Sequence, residues 1–497
     1  MTVPPKLVLC VVDAMAPAQL ERAVAAGEAP TLAALMERGL YVPDCVAAFP
    51  SVTPVCAASI VTGVWQDRHH IPGMCWYDRA ERRYVEYGSS FRASQRVGLT
   101  RQLTDTVYNM NAAHLSRDTP TVFETLDDDD VRTAGTTYLM YRGRHRHEPQ
   151  RDSPLTRIAS TLMRHSVMGP RELFYADVFA SRRTGCRSNL GMPGVRDRHS
   201  GCVGAYMVEH DLFDFLLLSL PDNDWHSHRS GPEGQVRSIA LADAQLARVM
   251  DAAGGVEPFL EEHAAIVMAD HSQAAVTASI ALADELAQLD VLTPGTRGER
   301  SSSSGKRGGP GIAVCPSQRA AMVYVLDSDR PERLRSDVVR AVLGIDGVEL
   351  AMWLERDAHG TPLEAVIARP GIGELRFCPG GDDLDLDGRA WSLEGSLGVL
   401  DAKRHDGRLI CPEHPDALDR VWAALTCPTS GDVLLSAAPG REFSDLGGQA
   451  HVGGGSHGSL RGEDSLGALI LCGVEIPQAP RQWSIRDVAP IVLDHFS

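Results

Sequence analysis

"FDFLLLSLPDNDWHSH", Phe213 to His228, passes from an apolar run of strand length straight into four ionisable side chains at alternate positions, Asp222, Asp224, His226 and His228. Similar runs recur along the chain: "KLVLCVV" (Lys6 to Val12), "VRTAGTTYLM", "AAIVMA" (Ala264 to Ala269) and "SLGALILCG". Between them lie segments of helical periodicity such as "PTLAALMERG" and "VRSIALADAQLARVMDAAG", each closing on glycine. Strands that alternate with helices predict an α/β fold with a doubly wound, mostly parallel sheet.

The chain has 497 residues, of which 43% are hydrophobic, enough for a large core and two to three domains. A formal net charge of -17 repels both a nucleic-acid backbone and an anionic membrane, so neither is an expected partner. No apolar run reaches the length of a membrane span, and the opening "MTVPPKLVLCVVDAM" lacks the layout of a secretory signal, so a cytoplasmic location is expected. Eleven cysteines, several in apolar settings such as "LVLCVV" and "LILCGV", read as reduced structural thiols.

Two stretches interrupt the alternation. The Gly/Ser/Arg tract from Gly295 to Gly311 carries too little apolar surface to order itself and reads as a mobile loop. Residues 321–436 read as a smaller, cap-like α+β insertion, with the main core formed by residues 1–320 and 437–497. The "DDDD" of Asp127 to Asp130 reads as a solvated turn.

In open α/β sheets the working groups lie beyond the carboxyl ends of strands. Here "LVLCVVD" ends in Asp13, "AIVMADH" ends in Asp270 and His271, and the Gly-rich "GGGSHGS" presents His457. One such residue commonly caps a helix or bonds a loop. Four clusters together provide the oxygen and nitrogen donors that bind Zn²⁺ or Mn²⁺, and two metals about 3.5–4 Å apart can clamp the attacking and leaving oxygens of a phosphoryl transfer. In "AFPSVTPVCAASIVTG", Ala48 to Gly63, Thr53 reads as an N-cap and Pro54 as the first helical residue.

Taken together, "VVDAM", "FPSVTP", "SIVTGVWQDRHHIPG", "PDNDWHSHRSGPEG", "MADHS" and "GSHGSLRGEDSL" resemble, in order, the type I phosphodiesterase and nucleotide pyrophosphatase branch of the alkaline phosphatase superfamily. The resemblance covers the core, from Pro5 to Ala320 and from Ala437 to Ser497. It implies one metal held by Asp13, Thr53, Asp270 and His271 and a second held by Asp224, His228 and His457, most naturally Zn²⁺ with Mn²⁺ as the alternative. The resemblance implies Asp224 rather than Asp222, because the family's Asp-x-x-x-His-x-x-Gly-Pro spacing fits Asp224, His228, Gly231 and Pro232; Asp222 and His226 then fall to a supporting role. Thr53 is then the nucleophile in preference to Ser51, forming a covalent phospho-threonine on a small phosphoester or phosphonate substrate.

The sequence also departs from that pattern. Val55, Cys56 and Ala57 follow Thr53, and His70 and Met74 replace a Gly and an Asn, so the expected phosphoryl-binding amides are missing. Met74, Trp76, Arg142 and Arg144 are the substrate-binding candidates; guanidinium groups bind phosphate bidentately. Phosphonoacetate-hydrolase-like C–P cleavage is the second enzymatic reading, and an inactive binding domain the reading from another class. "CAAS" at Cys56 lacks the Pro and Arg of a sulfatase nucleophile motif.

Overall fold

The computed structural model describes residues 5–151, 156–157, 163–295, 300–301, 310–327, 329–476 and 478–497. The interior of the Gly295 to Gly311 tract, expected to be mobile, lies outside the described residues.

An eight-stranded central sheet is formed by β1 (Lys6–Val12), β2 (Leu40–Val46), β3 (Thr133–Gly135), β4 (Glu172–Tyr175), β5 (Phe179–Ala180), β6 (Phe215–Leu220), β7 (His263–Met268) and β8 (Leu466–Cys472). Their spatial order is β2-β8-β7-β1-β6-β3-β4-β5. The five strands from β7 to β4 are mutually parallel, whereas β8 runs antiparallel to both β7 and β2. All six residues of β6 are buried, as a strand covered on both faces requires, which is why its sequence is a continuous apolar run rather than an alternation. The fold is therefore the α/β architecture expected.

Four helices position the site or its supports: α1 (Thr53–Thr62), α2 (Arg196–Glu209), α3 (Asp222–Ser230) and α4 (Gln235–Asp251). In α4, Ser238, Ile239, Ala242, Leu246, Val249 and Met250 are buried at helical spacing and face the layer that contains Val203 and Met207 of α2. Almost all of α1 is buried, from Pro54 to Val61.

A second, largely antiparallel sheet of nine strands occupies the stretch read as an insertion, but it begins at Ile312. Ile312–Ser317 pairs with Ala320–Val325, so a boundary at residue 321 would divide a hairpin. Strand Val433–Ala437 also belongs to this sheet. Both sheets share one apolar cluster that joins Leu7 and Leu9 of β1, Val55 of α1, and Met322, Leu350 and Phe377 of the second sheet. The second sheet is packed against the core rather than hung from it.

The cysteines require a correction: Cys186 and Cys202 form a disulfide across 16 residues, tying the loop ahead of α2 to the helix itself. Neither lies in the apolar strand contexts that suggested reduced thiols; the other nine are free. Disulfides persist mainly in oxidising compartments, so the cysteines no longer argue for a reducing one. Asp127 also departs from its reading as a solvated residue, because its buried carboxylate accepts from the Thr133 hydroxyl.

We expect denatured, unreduced protein to titrate with nine thiols and reduced protein with eleven. Replacing Cys202 with Ser should lower stability by about 3 kcal/mol, the scale of closing a loop of this length. Eleven reactive thiols without reductant would contradict the pairing.

Candidate metal centre

The three adjacent strands β7, β1 and β6 end side by side and deliver the acidic groups. Asp13 follows β1, Asp270 and His271 follow β7, and α3 begins directly after β6 with Asp222 and Asp224 in its first turn, where the helix dipole favours negative charge. Asp224 and His228 are four residues apart on one helical face, with carboxylate oxygen and Nε2 3.3 Å apart.

His457 enters on a loop pressed against α3. A Cβ at Gly454 would lie 2.0 Å from the His228 carbonyl oxygen, so the Gly-rich composition of this loop is a packing requirement. Its Nε2 lies 3.5 Å from Asp224 Oδ1, and its ring stacks on His271 with centroids 3.7 Å apart. Ligand atoms of Asp224, His228 and His457 all lie within 4.8 Å of one another, as do those of Asp13, Asp224 and His271. Asp270 Oδ2 is 3.5 Å from His271 Nε2, and Thr53 Oγ1 is 3.2 Å from the same nitrogen. The seven side chains singled out in the sequence thus converge, with Asp224 shared between the two groups.

The outer contacts set the chemistry of each imidazole. His228 Nδ1 is 2.8 Å from the Gly455 carbonyl oxygen, His271 Nδ1 is 3.1 Å from that of Ser272, and His457 Nδ1 is 2.7 Å from that of Ser51. A carbonyl only accepts, so in each neutral ring Nδ1 carries the proton and Nε2 presents a lone pair to the site. Asp270 Oδ1 accepts the backbone N–H groups of Ala14 and His271, leaving Oδ2 inward. Asp13 Oδ1, Asp270 Oδ2 and His457 Nε2 are buried without a hydrogen-bond partner among the described residues, the condition expected of atoms that ligate a cation.

Burial, reinforced by Asp270 and Asp224, raises the Asp13 carboxyl well above the usual range. Burial would raise Asp224 too, but His228, His457 and His271 outweigh it and hold that carboxyl well below its usual range. The side chains of His271, His457 and Asp270 are at most 1% exposed, whereas Asp13 and Asp224 are 14% and 17% exposed, so the centre opens on their side.

Thr53 is corrected in one respect. Val52 occupies the N-cap position and Thr53 is the first helical residue, so its hydroxyl is not a cap and is directed to His271. Ser51 Oγ instead donates to Ser459 O and accepts from Gly458 N–H, fixing the His457 loop.

No hydrogen bond, ion pair or ring contact among the described residues joins the four substrate-binding candidates to these seven. Trp76 is buried and its indole N–H donates to the Tyr87 hydroxyl, while Met74 packs on the core with its backbone N–H on Ser317 Oγ. Arg142 donates to Glu124 and to the carbonyls of Leu115, Ser116 and Thr119, and Arg144 bridges Glu124 and Asp128. Both line a separate cavity of about 460 Å³. Their charge serves the protein's own carboxylates and carbonyls.

Other supports had no sequence signal. Gln273 donates to Asp224, and His451, bonded to the buried Glu442, stacks on His228 at 4.0 Å. Asp222, which the sequence did give a supporting role, accepts from Gly194, Arg196 and Asp197 and so anchors the start of α3.

A family model described as type I phosphodiesterase / nucleotide pyrophosphatase matches residues 7–360. The chain belongs to that family. No curated protein sequence matches it. Among solved structures, phosphonoacetate hydrolase from Sinorhizobium meliloti 1021, in complex with phosphonoformate, superposes with a TM-score of 0.57 at 15% identity over 100% of this chain and 96% of that one. Human ectonucleotide pyrophosphatase / phosphodiesterase 5 gives 0.55 at 11% identity over 99% and 94%. An inactive threonine-to-alanine variant of its murine counterpart, in complex with AMP, gives 0.56 at 10% over 99% and 95%. These likenesses show that the chain shares its fold with those proteins. No helix among the described residues is long and apolar enough to cross a membrane.

Asp197 returns the contact from Asp222, accepting its N–H at 2.9 Å. Burial and the neighbouring Asp222 push the Asp197 carboxyl up to about 7. A raised carboxyl means that the folded state holds a proton which the unfolded chain, near its ordinary value of 3.8, has released. Stability should therefore fall as pH rises from about 4 to about 7. Asp197→Asn keeps the acceptor and should flatten that fall when urea unfolding is compared at pH 5 and pH 8; an unchanged slope would contradict the assignment.

Proposed function

We propose that the chain is a metal-dependent phosphoric ester hydrolase, of phosphodiesterase or nucleotide pyrophosphatase type, that works through a phospho-threonine at Thr53. The observation that carries this reading is the set of three imidazoles locked with Nε2 inward, beside buried carboxylate oxygens without partners and the Thr53 hydroxyl. Asp224, His228 and His457 would hold one divalent cation, and Asp13, Asp270, His271 and Thr53 the other. Two such ions, Zn²⁺ or Mn²⁺, would neutralise the carboxylates and stabilise the oxyanions of attack and departure.

Thr53 Oγ1 forms a bond to phosphorus as the ester P–O bond breaks, and the leaving oxygen takes up a proton. Water then cleaves the Oγ1–P bond and releases phosphate or a phosphate monoester. The start of α1 faces the same site and adds its positive dipole end to the phosphoryl group. His271 and Asp270 position the hydroxyl through the 3.2 Å and 3.5 Å contacts described. The inactive threonine variant of the murine relative supports a threonine in this role. A small phosphonate is the second substrate reading, favoured by the phosphonoacetate hydrolase structure that the whole chain matches.

The test is a panel of chromogenic phosphate monoesters, diesters, sulfates and phosphonates assayed with Zn²⁺ and with Mn²⁺. We expect diesters to lead, chelation to abolish turnover, and elemental analysis to find two metals per chain. Thr53→Ala should abolish turnover and, because the hydroxyl caps nothing, change stability by only about 1 kcal/mol or less. Thr53→Ser should retain activity, and Ser51→Ala should be milder than Thr53→Ala. Near wild-type turnover in Thr53→Ala would eliminate the covalent route; no turnover of any ester with either metal would leave the inactive binding domain.

A further inference from the structure

Beyond β3 lies a tyrosine with no role in the chemistry above. β3 is parallel to β6, so its carboxyl end lies beside the end that leads to Asp222 and Asp224. Thr136 fixes the loop there: its N–H donates to Leu217 O at 3.1 Å and its hydroxyl accepts from Ser219 N–H at 2.8 Å. Two residues further, Tyr138 is 6% exposed and belongs to the apolar cluster that contains Val52 and Val55 at the start of α1.

The Tyr138 hydroxyl is buried and has no hydrogen-bond partner among the described residues. Leaving such a group unsatisfied costs about 1–3 kcal/mol, so a tyrosine here is disfavoured against phenylalanine unless the hydroxyl serves something else. Its surroundings say what that is. Burial, followed by the charges of Asp270 and Asp13 and the thiol of Cys56, holds the phenol well above its usual range. Two of these groups belong to the metal centre, and Cys56 lies one helical turn beyond Thr53. A phenol is protonated at neutral pH, so this hydroxyl, within electrostatic reach of Asp13 and Asp270, can donate. The side chains that follow Thr53, those of Pro54, Val55 and Ala57, offer no donor, and Cys56 offers only a weak one.

We propose that the Tyr138 hydroxyl donates a hydrogen bond to a non-bridging oxygen of the phosphoryl or phosphonyl group transferred to Thr53, which makes it a catalytic residue. This rests on the phosphohydrolase reading of the same site. As negative charge builds on that oxygen during attack the bond strengthens, so its contribution falls on kcat more than on KM.

The test is Tyr138→Phe in the full, metal-loaded chain, with inorganic phosphate as the binding probe. We expect kcat on the best ester to fall about 100-fold or more, and the calorimetric Kd for phosphate to rise about tenfold. Metal content should be unchanged and thermal stability equal or higher, because the variant removes an unsatisfied hydroxyl. A purely structural role would instead lower Tm and leave kcat and phosphate affinity at wild-type values, which overturns the proposal. Wild-type protein that turns over no ester and binds no phosphate would overturn the phosphohydrolase reading and this one together. Wild-type protein that does both, alongside an indistinguishable Tyr138→Phe, would overturn this one alone.

Discussion

Adjacent parallel strands lie about 4.8 Å apart, and that spacing fixes the electrostatics of this molecule. Because β7, β1 and β6 are neighbours, the carboxylates that follow them, Asp270, Asp13 and Asp224, are forced together where little water reaches. Like charges so placed cannot all stay ionised unaided, as the raised carboxyl of Asp13 shows. A divalent cation among them would relieve that repulsion, so the charge arrangement fits the proposed chemistry.

Holding such a centre to a fixed geometry is the task of the second sheet. Its hairpin reaches the His457 loop, where Arg319 N–H donates to the His457 carbonyl at 2.8 Å. From helix α5 (Ala417–Thr426), fully buried Arg420 donates to the carbonyls of Ala48, Pro415 and Leu460 and to Ser465 Oγ. One guanidinium thus joins the loop before Thr53 to the loop after His457. Both segments are irregular backbone at the edge of a buried site, where carbonyls need donors that no ladder supplies. The stretch that reads as a cap therefore acts as a buttress, and variants within it should disturb the centre through loop position.

The central fold was legible because strands buried on both faces leave continuous apolar runs, and most of the candidate site because its residues follow those runs directly. Asp13, Asp270 and His271 could be read from strand ends, whereas Asp224 and His228 were singled out among the four ionisable residues after β6 by the family resemblance. What the sequence concealed depends on long-range pairing. The 186–202 disulfide joins residues in unremarkable polar settings, and the hairpin at Ile312 follows a tract whose composition suggests only a loop. Arg142 was opaque for a related reason: a guanidinium that satisfies three carbonyls and a carboxylate looks, in sequence, like one waiting for phosphate.

Thr53 shows how one residue's position decides between a structural and a chemical role. A capping hydroxyl turns back onto the N–H groups of its own helix and cannot also face a neighbouring strand end. Here Val52 takes the cap position, its carbonyl accepting from the N–H groups of Val55 and Cys56, and Pro54 has no N–H to satisfy. The first turn thereby loses little from the missing side-chain cap. The same arrangement that makes a side-chain cap dispensable frees the threonine oxygen to lie 3.2 Å from His271, at the end of a helix whose remaining dipole points into the site. Shifting the helix start by one residue would turn the hydroxyl back into a cap, so the proline after Thr53 fixes the register on which the proposed nucleophile depends.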